Sequence, residues 1–183
     1  MKKIVLTFGV ISGVIASVLM LSTLLFIDRI GFDKGLFVGY TGIVLSFLVI
    51  FPGIRSYREN IGNGTISFGR AFAVGILITL ISCAFYIATW QLIYYKLMPD
   101  FADKCFAYMM EQIRNSGKPP AEVAAEIEST KQFIEAYRNP FVNAAYTFIE
   151  PFPVGLLVTL ISSLILRKKR KETGSTEVVT TSV

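Results

Sequence analysis

The sequence predicts an all-α membrane protein: four transmembrane helices, both ends cytoplasmic, and an external helical hairpin between spans three and four. Three observations lead there. The apolar residues gather into blocks long enough to cross a bilayer rather than spreading through the chain. Lysine and arginine favour the same side at every block boundary. The stretch 96–140 is too long for a linker and carries helical apolar periodicity. Composition agrees, because 53% hydrophobic with 17% charged residues falls well below the roughly one-quarter charged share of soluble domains.

The first block, 4–27, follows Met1-Lys2-Lys3. It exceeds the apolar core of a signal peptide and lacks a small-residue cleavage site near its end, so it reads as an uncleaved span. The second and third blocks are 36–54 and 71–95. Each of these three reaches about 28 Å or more at helical rise, enough for the hydrocarbon layer. The fourth block contains Glu150, Pro151 and Pro153, so the expected span is 148–166, with Glu150 in the outermost turn and the prolines near a helix start.

Between spans three and four, Phe101, Cys105, Tyr108, Met109 and Ile113 recur three or four apart and form one helical face. Ser116-Gly117-Lys118-Pro119-Pro120 breaks the chain. Val123, Ile127, Ile134 and Tyr137 then mark a second helix that ends at Asn139-Pro140. Residues 1–171 make one integral membrane domain, and the polar tail 172–183 is expected to be disordered.

For orientation, one side carries Lys2, Lys3, Arg55, Arg58, Arg70 and the run Arg167 to Lys171, against only Glu59, Glu172 and Glu177. The other side has eight basic residues against ten acidic ones. The positive-inside rule places both termini in the cytoplasm.

Several chemistries are excluded or weakened. Histidine is absent, which removes imidazole nucleophile pairs, proton shuttles and metal sites. Cys83 and Cys105 lie far apart along helical chain and imply no disulfide. The net charge of +5 resides mostly in Arg167 to Lys171, a stop-transfer anchor on anionic lipid rather than a nucleic-acid site. The run from Asn60 to Arg70 is glycine-rich but lacks a lysine-hydroxyl pair and follows no strand. A turn at Asn63-Gly64 with Ser67 capping the next helix explains it. No cofactor is expected. Glu122, Glu126, Glu128, Asp100 and Asp103 read as a solvated helix face, without the spacing of a calcium loop.

Small residues recur through the spans. Gly9, Gly13, Gly39, Gly42, Gly75 and Gly155 are expected to let helices approach closely. Glu150, with the hydroxyls of Thr79, Ser82 and Thr159, is the candidate intramembrane polar site. Trp90, Tyr94, Tyr95 and Phe101 read as an interfacial aromatic belt, not a binding cage.

The segment Ile66-Ser67-Phe68-Gly69-Arg70-Ala71-Phe72 opens the third span, and Tyr94-Tyr95 with Pro99-Asp100-Phe101 closes it. These motifs resemble a bacterial family of small four-span membrane proteins known as domain of unknown function forty-one ninety-nine, and the likeness extends to about Arg170. The resemblance implies a cytoplasmic (inner) membrane location and carries no activity or site residues. The expectation is a non-enzymatic accessory or structural protein that interacts with lipid, with a protein partner through the hairpin, or with itself. The alternatives are a subunit of an oligomeric transporter or channel using Glu150, and a lipid-acting enzyme using Asp100, Asp103 or Glu111.

Overall fold

A computed structural model describes residues 1–168, apart from the side chains of Asp28, Phe32, Asp33, Phe101 and Ala102. The basic residues Lys169 to Lys171, the expected tail and the Phe101 side chain therefore lie outside the described part. The helices in order are α1 (Lys2–Leu25), α2 (Ile27–Ile30), α3 (Phe32–Phe47), α4 (Ile50–Asn60), α5 (Phe68–Leu92), α6 (Phe101–Arg114), α7 (Pro120–Tyr137), α8 (Pro140–Ile149) and α9 (Pro151–Leu166). A π-helical turn, Ile93–Leu97, prolongs α5. Among the described residues, β-type pairing is confined to one bridge, Ile66 with Lys168.

Four stretches are long and apolar enough to cross a membrane: Lys2–Leu25, Lys34–Asn60, Phe68–Leu97 and Pro140–Leu166. At about 1.5 Å per residue each is longer than the roughly 30 Å hydrocarbon layer of a bilayer. The fourth stretch begins at Pro140 rather than near residue 148. Two prolines shape these helices. Pro52 lacks the N–H that would bond the Leu48 carbonyl, and the helix breaks between α3 and α4 at Leu48 and Val49. Pro151 and Pro153 do the same at Glu150, dividing α8 from α9.

Hydroxyls and missing side chains set the packing. α1 and α5 run parallel, with Ser12 bonded to Ser82 at 3.0 Å and Ser17 bonded to Thr89 at 2.7 Å. Ser12 also donates to the Ser46 carbonyl at 2.8 Å and so ties α3 to the pair. A Cβ added at Gly9 would stand 2.8 Å from Ile81, and one at Gly13 would stand 2.6 Å from Phe85. α5 and α9 run antiparallel, with Thr79 and Thr159 bonded at 3.1 Å. There a Gly75 Cβ would meet Thr159 at 2.7 Å, and a Gly155 Cβ would meet Thr79 at 2.4 Å. Gly42 faces Leu19 at 3.3 Å. Gly39 is different: a Cβ there meets nothing within 4 Å, so it makes no close helix contact. Replacing Ser12 with Ala is expected to cost about 1 kcal/mol, because its bonds with Ser46 and Ser82 are lost between helices. Unfolding in mixed detergent with rising dodecyl sulfate measures this.

Phe47, Ile50, Ile54, Val74 and Ile78 fill the centre and are each at most 2% exposed. They lie toward the end that holds the starts of α1 and α5 and the close of α9. At this tail end, Asn63 (φ 48°) and Gly64 (φ 78°) make a left-handed turn. Ser67 then caps α5 by accepting from the Arg70 N–H at 3.4 Å, as the sequence predicts. Ile66 and Lys168 exchange two backbone hydrogen bonds, of 3.0 and 2.9 Å, and hold the loop to the chain leaving α9.

Candidate functional site

At the opposite end the helices do not close on one another. α6 and α7 form the expected hairpin, split at Gly117 (φ 69°), and it lies over a cavity of about 470 Å³. α1, α2 and α3 provide one wall through residues such as Ala16, Met20, Ile27 and Ile43. Tyr86, Trp90 and Tyr94 of the α5 stretch provide another. The roof consists of residues from the apolar faces read from the sequence, Cys105, Tyr108 and Met109 of α6 with Ile134 and Tyr137 of α7, joined by Phe133. Gly35, Gly39 and Gly42 line it as well, which explains the open space beside Gly39. Leu36 is 62% exposed at the rim.

Hydrogen bonds fasten the roof. Trp90 Nε1 donates to the Tyr137 hydroxyl at 3.0 Å, and the Tyr95 hydroxyl donates to the Arg138 carbonyl at 2.9 Å. Gln91 donates to the Pro140 carbonyl at 3.0 Å and to Asn143 Oδ1 at 3.2 Å. Tyr94 and Tyr137 meet edge to face at 5.6 Å. The π turn closes with the Met98 N–H on the Ile93 carbonyl and keeps Tyr94 buried. Burial raises the pKa values of the Tyr137 hydroxyl and the Cys105 thiol above their ordinary values, so both stay protonated at neutral pH. Trp90 and Tyr94 are therefore not simply a belt at the lipid interface, since they form a wall of this cavity. The Tyr137→Phe variant removes the Trp90 acceptor. It is expected to speed amide exchange in α6 and α7 about fivefold, equivalent to one hydrogen bond near 1 kcal/mol, with exchange in α9 unchanged.

Glu150 lies ten residues beyond Pro140, about 15 Å along the helix. It is half-buried at the floor of the cavity instead of lying in the outermost turn. Although it occupies the N-cap position of α9, its side chain makes no cap bond. Its Oε2 instead accepts from the Tyr86 hydroxyl at 3.2 Å. The other members of the candidate polar set are elsewhere. Thr79 and Thr159 bond each other between α5 and α9, and Ser82 is engaged by Ser12. None of these three lines the cavity, so the structure does not bring the four into one path. Asp100, Asp103 and Glu111 are exposed and face no cleft of this kind. Among the described residues, no cluster of three potential metal ligands occurs.

The model of the family described as Protein of unknown function (DUF4199) matches residues 7–168. The chain belongs to this family. The matched region spans all four apolar helices and the hairpin, so cavity and roof both fall inside the family domain. No curated protein matches the chain. No solved structure matches it either. The fold is all-helical with four helices compatible with an integral membrane protein.

The cavity escapes sequence reading because its lining comes from seven helices. The one early signal was that Cys105, Tyr108, Ile134 and Tyr137 occupy apolar faces of two helices outside the spans. Such faces need something to cover.

Proposed function

We propose that this is a non-enzymatic protein of the bacterial cytoplasmic membrane that holds an amphiphile, taking its hydrocarbon chain into the cavity beneath the hairpin. The observation that carries this reading is the apolar cavity of about 470 Å³, with aromatic side chains over it and the exposed Leu36 at its rim. Ligand sites are concave, mostly apolar and supplied with a few placed polar groups. Here those groups are Glu150, Tyr86, Thr23 and Thr147. The Thr79–Thr159 and Ser12–Ser82 bonds keep those hydroxyls in helix packing, which favours a holder over a polar conduit.

In the proposed orientation both termini are cytoplasmic and the hairpin faces the periplasm, by the lysine and arginine bias of the flanks. The exposed outer face of α7 is then the surface through which a partner protein or a second copy senses an occupied cavity. Cys105 tests the orientation, because Cys83 is 1% exposed and contributes little background. A membrane-impermeant maleimide is expected to label Cys105 in intact spheroplasts, slowly at pH 7 and faster as pH rises toward the thiol's elevated pKa. Labelling only after lysis would reverse the orientation.

The protein's single tryptophan, Trp90, lies in the cavity wall and reports occupancy directly. Brominated acyl chains added to the protein in detergent should quench it saturably, and the unbrominated chain should restore the signal. Quenching that rises linearly with mole fraction and resists displacement would mean contact with bulk detergent, and the reading would fall.

A further inference from the structure

We infer that the amphiphile held in this cavity carries a positively charged head, a lipophilic amine or quaternary ammonium, with Glu150 as its counter-ion. The inference rests on the amphiphile reading above and adds the class of ligand. Glu150 is half-buried at the cavity floor, and its Oε2 accepts from a neutral hydroxyl, that of Tyr86. None of the ion pairs among the described residues includes it. The cavity lining contains no lysine and no arginine. A carboxyl group in apolar surroundings stays ionised only when a cation or several donors compensate its charge. Among the described residues Glu150 has one donor and no cation beside it, so a cationic ligand is what would hold it ionised.

The walls fit the same chemistry. Tyr86, Trp90 and Tyr94 succeed one another every fourth residue. The aromatic surface therefore climbs from the carboxylate toward the roof in steps of about 6 Å. Tyr137 joins it from above, edge to face with Tyr94 and accepting the Trp90 N–H. Aromatic faces attract ammonium groups through their quadrupoles. A carboxylate beside such faces recognises a cation by charge and by desolvated contact, while the apolar walls from α1 and α3 take the alkyl chain. An anionic head would instead meet Glu150 as a like charge.

The experiment uses the full chain in neutral detergent and three brominated octadecyl probes that differ only in the head: trimethylammonium, carboxylate and glycerol. Trp90 quenching, reversed by the matching unbrominated chain, gives each affinity. The expected result is a preference for the trimethylammonium probe of about tenfold or more over both others. In Glu150→Gln this preference should shrink to within about twofold while the glycerol probe binds as before. Glu150→Asp keeps the charge and should keep the preference. Equal affinities on the native protein would overturn the cationic ligand and leave the cavity reading standing, whether or not any variant folds. Loss of all three probes in Glu150→Gln, in protein that remains folded, would make Glu150 a structural residue and would also overturn the inference. Absence of saturable quenching by any probe would remove the amphiphile reading itself and this inference with it.

Discussion

Gly155→Leu is expected to abolish the folded bundle. The Cβ position at Gly155 lies 2.4 Å from Thr79 Cγ2 and 3.0 Å from Phe47 Cζ. Thr79 and Phe47 are at most 2% exposed, so neither has space to withdraw into. Adding a branched side chain there forces α9 away from α5, breaking the Thr79–Thr159 bond and opening the contact with Phe47. Overpacking of a tight core costs about 1–3 kcal/mol and occasionally more. A backbone approach this close belongs at the upper end, a large share of the total stability of a small domain. The measurement is the monodisperse fraction after heating in detergent, with Gly39→Ala as the control. Gly39→Ala should behave as the native protein, because nothing lies within 4 Å of its Cβ position.

Gly39→Phe should produce the opposite pattern, a stable protein with a lost site. Gly39 lines the cavity and has free space where its side chain would grow. A phenyl ring there occupies volume the amphiphile needs and buries apolar surface against the wall formed by α1. Saturable quenching of Trp90 should weaken at least about tenfold, or 1.4 kcal/mol, with the melting temperature equal to or above that of the native chain. Unchanged quenching would place the ligand outside the cavity.

The two variants also mark what was legible in the chain. Gly39 and Gly155 look alike in sequence, each a small residue within an apolar block. Their roles separate only once α3 is seen standing beside an open cavity while α9 lies against α5. The four apolar helices, the hairpin and the Ser67 cap were readable because block length, apolar period and cap chemistry are local properties. The break at Leu48 and Val49 was readable in principle from Pro52, four residues on. No proline lies within the π turn after Leu92, whose residues Ile93, Tyr94, Tyr95, Lys96 and Leu97 give no local sign of it. Glu150 stood out as the acid within a span, but its partner Tyr86 lies 64 residues away and in another helix. Pairings of that kind are settled by tertiary packing, which periodicity does not encode.

The parallel seam between α1 and α5 has a consequence for biogenesis. Ser12 and Ser82, which join across it, are separated by 70 residues. During synthesis α1 and its Ser46 partner on α3 are therefore made long before Ser82, which completes the contact, has left the ribosome. The Thr79–Thr159 contact arrives later still, across 80 residues. Each early helix waits with part of its polar stripe uncovered until α9 completes the seam with α5. A chain that stalls before α9 would leave Gly75 and Thr79 uncovered, an incomplete seam for quality control to recognise.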